Sequence, residues 1–275
     1  MRRPRWGIGL RVLPSRQSPV RNVKITLEYD GTTFFGWQRL TGRPTVQAAL
    51  ERAASRVTGE RVKIVGAGRT DAGVHALGQV ANFKTQSHLA AVRFPAALNA
   101  YLPETVRIVS AEDVDDRFHA RFSATGRIYR YAILNRSAPS AILRNHAYHV
   151  STALVHDAMA AAAANLQGTH EFTAFRSAGS GERTTVCILR RSHVARSGDM
   201  VICTFEADRF LRHMVRLMVG MLLRVGQGKL TAEAVETILS SGRNQKAGPR
   251  VPAHGLYLVS VLYAESLHSH PHLPD

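Results

Sequence analysis

Residues 22–264 of the 275-residue chain predict an α/β protein of the α+β type: two similar β-α-β-β-α-β units sharing a mainly antiparallel sheet, with a cleft between them. Three observations predict it. Strand-like and helix-like patterning alternates in one order, and that order occurs twice. The split βαβ order is the one that lays helices over one face of an antiparallel sheet. The length suffices for two domains of ordinary size, at roughly 100 to 200 residues each.

In the first half, Val23–Tyr29 alternates apolar and polar residues as a strand does, and 30–39 is a glycine-punctuated loop. Thr45 is an N-cap for a helix over 46–57, whose Val46, Leu50, Ala53 and Val57 share a face; Gly59 ends it. Strands follow at 61–66 and 78–85, then a helix over 88–102 kinked or restarted at Pro95, then a strand at 105–114. The second half begins with a strand from Arg127 to 134. Ser151 or Thr152 caps a helix over 153–166, stopped by Gly168, and strands at 184–196 and 199–207 flank a glycine turn. A long helix over 209–225, a shorter one over 231–240 and a strand at 256–263 complete the unit. Both halves therefore read as ferredoxin-like domains, 22–125 and 126–264, between a basic tail at 1–21 and a solvated tail at 265–275.

With 45% hydrophobic and 20% charged residues the composition is that of a soluble globular protein. No apolar run reaches the roughly 18 residues of a membrane span. The two cysteines, Cys187 and Cys203, fall in no Cys-x-x-Cys or Cys/His cluster, which fits a reducing, cytoplasmic setting without zinc or redox work. A net charge of +16 calls for a polyanionic partner. The tail supplies six of the arginines and no acid, yet the body stays basic without it. That tail reads as an RNA-touching arm, a transit peptide or upstream sequence from a mistaken start; a secretory signal lacks its apolar segment. By composition 176–185 is a mobile loop, and the histidines of 266–275 are solvated.

The stretch GAGRTDAGVHALGQVANF, 66–83, places a single acid, Asp71, among glycines. It is no dinucleotide fingerprint, because Asp71 stands where the third glycine is needed, and no Lys-Ser/Thr follows to make a phosphate loop. Asp71 and His75 are four apart but lack a third metal ligand nearby. Spacing alone favours an Asx-turn or a cap. The sharper option is nucleophilic or acid/base work, which needs a carboxylate beside a cation. Arg69 points elsewhere if the segment is extended. Arg209, Arg212 and Arg216, three and four apart on an otherwise apolar helix, offer a buried arginine that needs an acid, or else an exposed stripe. Further on, 117–136 interleaves Arg117, Arg121, Arg127, Arg130 and Arg136 with Phe118, Phe122, Tyr129 and Tyr131. Arginines and rings suit looped RNA, and core packing is the competing use of the two tyrosines, which share a strand face.

Six blocks together resemble the tRNA pseudouridine synthase A family: ITLEYDGTTFFGWQ (25–38), VGAGRTDAGVHALGQVANF (65–83), FHARFSATGRIYRY (118–131), HEFTAFR (170–176), FLRHMVR (210–216) and AHGLYLV (253–259). The resemblance implies an isomerase that converts uridine to pseudouridine at positions 38 to 40 in the anticodon arm of tRNA, with no cofactor and no catalytic metal. It further implies a homodimer in which one tRNA touches both subunits. Residue by residue, Asp71 matches the catalytic aspartate, a nucleophile by family usage, and Tyr129 the tyrosine that stacks on the target base. Arg216 matches the arginine beside the aspartate, and Arg69 the one implicated in extruding the uridine. Attack at C1′, addition to C6 and removal of the C2′ proton remain three open routes. A non-catalytic RNA-binding or RNA-folding protein and a hydrolase with an aspartyl nucleophile are the competing classes.

Overall fold

The computed structural model describes residues 19–177, 184–242 and 248–264. Most of the basic tail, the middle of the 176–185 loop and the histidines of the C-terminal tail lie outside these residues. The elements are β1 (Arg21–Tyr29), α1 (Val46–Thr58), β2 (Val65–Gly66), β3 (His75–Thr85), α2 (Phe94–Asn99) and β4 (Val106–Val114) in the first half. The second half holds β5 (Ala124–Asn135), β6 (Tyr148–Val150), α3 (His156–Ala164), β7 (Gly168–Glu171), β8 (Val186–Ser197), β9 (Met200–Ala207), α4 (Met214–Gly226), α5 (Ala234–Ser241) and β10 (Leu256–Tyr263).

Among the described residues all ten strands form one sheet, in the order β4-β1-β3-β10-β5-β9-β8-β7, with β2 on β3 and β6 on β5. In both halves the first strand lies between the last and the last but one, so the order β4-β1-β3 returns as β10-β5-β9. Pairing is antiparallel except between β5 and β6 and at the junction of the halves, where β10 runs parallel to β3. The mainly antiparallel α+β sheet that the patterning predicts is the one observed. Helices cover one face. Val23, Ile25 and Leu27 of β1 pack with Val46 and Leu50 of α1, and Ile133, Cys203 and Phe205 pack with Met218 and Leu222 of α4. Leu256 and Leu258, on one face of β10, enter the two cores separately, and Tyr129 of β5 touches both. Each large apolar side chain so buried contributes about 1.5–3 kcal/mol.

Several boundaries differ from expectation. The helix expected from 209 starts only at Met214, because His213 before it takes the left-handed conformation (φ 65°, ψ 8°), through which a right-handed helix cannot propagate. The helix expected over 88–102 shrinks to a 3-10 turn at Ala91–Arg93 and α2. Pro95 sits in its first turn, where its missing N–H costs nothing, and so starts the helix rather than kinking it. Thr45 precedes α1 without a side-chain cap bond, while Gly59 closes α1 in the left-handed conformation as expected. Neither Ser151 nor Thr152 caps α3, which follows Val155. The strand expected over 61–66 pairs only at Val65–Gly66, and β6 and β7 are additions too short to show a period.

α4 is apolar nearly all round and buried along almost its whole length. It lies so close to the chain before β10 that a Cβ on Gly220 would meet the Pro249 carbonyl oxygen at 1.9 Å. Nearer the start of α4, Val251 N–H of the same segment donates to the Arg216 carbonyl at 3.3 Å.

Candidate active site

Asp71 lies in the loop joining β2 to β3, and four separate segments fix that loop. Ala67 N–H donates to the Val80 carbonyl at 2.8 Å, and Gln79 Nε2 donates to the Gly68 carbonyl at 2.9 Å. The Tyr29 hydroxyl meets Thr70 Oγ1 at 2.7 Å, and Trp37 N–H donates to the Thr70 carbonyl at 3.0 Å. Gly36, at φ 85°, permits this last approach, since a Cβ there would stand 2.5 Å from the Thr70 oxygen. From the other half, Arg127 donates to the carbonyls of Ala67 (3.0 Å), Arg121 (3.1 Å) and Asp208 (3.0 Å). It thereby ties the aspartate loop to the segment that leads into α4.

The turn-cap reading of Asp71 fails on its hydrogen bonds. Among the described residues its carboxylate accepts from no backbone N–H; Arg216 Nη1 donates to Oδ2 at 3.0 Å and His213 Nε2 lies 3.3 Å from the same oxygen. Among the described residues Oδ1 has no partner. The side chain is 37% exposed, whereas that of Arg216 is 11% exposed and uses Nε on the Val251 carbonyl at 2.8 Å. Burial lowers the Arg216 pKa from its ordinary value, and Asp71 opposes that shift. His213 is likewise depressed by burial; Asp71 opposes, while Arg250, Arg216 and Arg212 reinforce. Its Nδ1 meets Ser177 Oγ and Arg250 Nη1, each at 2.6 Å, and Arg250 Nη1 also lies 3.1 Å from Nε2.

Of the three arginines expected to share a helix face, only Arg216 is helical and reaches Asp71. Arg209 and Arg212 precede α4 and are exposed, and Arg209 pairs with Asp208 at 3.1 Å. Arg69 is exposed and has no protein partner among the described residues. Tyr129 and Tyr131 do share a face, and both pack against the core. Tyr131 is fully buried and donates to the Pro252 carbonyl at 2.8 Å. Tyr129 is half-buried, edge-on to Phe210 at 5.0 Å between ring centres. Burial pushes its hydroxyl up to about 12; Arg127 opposes and the Asp71 charge adds to the rise, so it is protonated at neutral pH. The remaining Arg/aromatic residues do not converge on the site: Arg117 pairs with Asp115 at 3.1 Å, Arg136 with Asp199 at 3.5 Å, Phe122 is exposed and Phe118 packs against the first core.

Two functional neighbours were missed from sequence. Arg127 stood among the RNA-contacting arginines, and nothing in its spacing shows that its partners are three carbonyls, two of them distant in sequence. His213 left a usable signal, being three residues before Arg216 and so a turn away from the same acid.

Among the described residues Asp30, His75 and His146 form a trio of metal-ligand type, with ligand atoms within 4.8 Å of one another. They line a cavity of about 290 Å³ with Tyr257. Tyr257 alternates with Leu256 and Leu258, so the trio is on the sheet face opposite Tyr129. His75 has no lone pair to spare: Nδ1 accepts from Gly31 N–H at 3.1 Å, and Nε2 faces the Asn145 carbonyl at 2.9 Å as a donor. An ion would have to displace one of these bonds, and the trio reads as a hydrogen-bonded brace.

Residues 25–123 and 162–264 match the family model described as tRNA pseudouridine synthase. The tRNA pseudouridine synthase A of Acetivibrio thermocellus is 47% identical over 244 residues, which cover 89% of this chain and 100% of that protein. That of Thermoanaerobacter sp. (strain X514) is 45% identical with the same coverage. That of Moorella thermoacetica is 43% identical over 243 residues, 88% of this chain and 99% of the relative.

Proposed function

The chain belongs to the tRNA pseudouridine synthase family and is an isomerase; from that premise we propose that it converts uridine to pseudouridine at positions 38 to 40 in the anticodon arm of tRNA, with Asp71 as the reacting carboxylate and no cofactor. One observation carries the reading. Where the two halves meet, a part-exposed carboxylate has one oxygen held by a buried arginine and the other free among the described residues.

The reaction breaks the C1′–N1 bond, turns the uracil and joins C5 to C1′. The proton lost from C5 is balanced by one gained at N1, so no oxidant, reductant or group donor is consumed. What the protein must supply is a flipped base, a place to hold it and a carboxylate aimed at it. Flipping costs a few kcal/mol, which stacking on an aromatic ring offsets by about 1–3 kcal/mol per base. Tyr129 is the ring in reach of Asp71, and Arg69, exposed on the same loop, fills the space the uridine leaves. Asp71 acts as the nucleophile in this reading, at C1′ or C6, or as the base at C2′. The protein works as a homodimer in the cytoplasm, one tRNA touching both subunits; no helix among the described residues is long and apolar enough to cross a membrane.

The test is incubation with unmodified tRNA followed by chemical mapping. Pseudouridine at 38 to 40 is expected. Released uracil would assign a hydrolase, and bound but unmodified tRNA a non-catalytic RNA-binding protein.

A further inference from the structure

His213 is the one non-glycine residue with positive φ among the described residues, at 65°. A histidine gains nothing from that backbone, which glycine adopts without strain, and such a residue persists only where its surroundings over-determine it. The side chain does not cap α4; only its carbonyl joins the helix, accepting from Leu217 N–H at 3.1 Å.

What determines it is the ring. Both the Ser177 hydroxyl and Arg250 Nη1 lie at hydrogen-bond distance from Nδ1, and the guanidinium can only donate. Arg250 Nη1 also lies 3.1 Å from Nε2, but its shorter contact, and that of Ser177, is with Nδ1, which makes Nδ1 the acceptor; in the neutral ring the proton is then on Nε2, 3.3 Å from Asp71 Oδ2. Arg212, Arg216 and Arg250 all oppose a second proton, and Asp71 alone favours it. A neutral ring gives direction without adding a second full charge to the one Arg216 brings.

We propose that His213 is a positioning residue for Asp71: its Nε2–H and Arg216 Nη1 converge on Oδ2 and so fix the carboxylate plane with Oδ1 turned to the substrate. The inference rests on Asp71 being the reacting carboxylate. Two donors on one oxygen restrain the rotation that a single donor leaves open. A reacting atom displaced by about 1 Å can cost on the order of 100-fold in rate.

Four variants test it: His213→Ala, His213→Gly, His213→Gln and Asp71→Asn, each assayed for kcat, KM for tRNA and melting temperature. The Ala and Gly variants both lack the ring but differ in backbone strain, so Gly melts higher by roughly 2–4 °C. Their kcat values are expected to be equal within about twofold and some 10- to 100-fold below wild type, with KM changed less than about threefold. Gln, whose amide N–H can reach Oδ2, is expected to recover at least about a third of the wild-type kcat. Activity that follows melting temperature, or a Gln variant no better than Ala, would overturn the proposal in favour of a structural role. An Ala variant as active as wild type beside an inactive Asp71→Asn protein would overturn it alone, whereas an active Asp71→Asn protein would remove the reading beneath it.

Discussion

Arg216 is where burial and charge oppose each other most directly: a guanidinium largely out of water, held by one carboxylate and one carbonyl. Nε and Nη1 serve those two acceptors together, which a planar fork can do and a single ammonium cannot. Arg216→Lys is therefore expected to be nearly as poor as Arg216→Ala, both losing about 100-fold or more in kcat by single-turnover assay, while tRNA affinity stays within about threefold. A Lys variant close to wild type would show that charge alone suffices. This pairing was legible in sequence as an arginine on an apolar helix needing an acid. The two arginines offered with it were not, because histidine carries no helix-stop signal and the left-handed turn at His213 exists only through partners distant in sequence. Asp71 shows the converse: its own neighbours suggest a turn cap, and only side chains from the other half give its carboxylate another task.

At the scale of elements, the aspartate loop is a short connection made rigid from outside. Gly36 lets the 30–39 loop press on Thr70, and Arg127 bolts the opposite side to the approach to α4. Gly36→Ala forces a Cβ onto a carbonyl at positive φ, so a loss of about 1–3 kcal/mol is expected from urea unfolding, with kcat lowered as well. Unchanged stability would mean that the loop yields. Strands and helices with a clear period, such as β10 and α1, were legible to within a residue or two. β6 and β7, of three and four residues, owe their pairing to the neighbours they meet and could not be read locally.

For the molecule as a whole, the repeated strand order made the sheet legible, but the repeat conceals a dependence. β10 belongs to the second half by sequence, yet its Leu258 and Val261 complete the core of the first. Separated fragments 22–125 and 126–264 are therefore expected to be unfolded or aggregated alone and to recover activity only when mixed; cooperative unfolding of the first fragment by itself would contradict this. Acid sensitivity is a second whole-molecule property. His75, His213 and His254 all have pKa values lowered by burial from 6.5. Their unfolded forms take up protons first, so stability is full above about pH 6.5 and falls below it, by at most about 1.4 kcal/mol per pH unit for each histidine. Urea midpoints at pH 8, 6.5 and 5.5 check this, with a flat profile as the contrary result.

Because the site is assembled from both halves around one acid, the most direct measurement is the conversion of uridine to pseudouridine in unmodified tRNA by wild type and Asp71→Asn protein. The substitution keeps the size of the side chain and removes its charge. Wild type is expected to modify the anticodon arm, and the variant to bind the same tRNA and leave it unmodified even at stoichiometric protein. Pseudouridine formed by the variant at a rate near that of wild type would contradict the assignment of Asp71 as the reacting carboxylate.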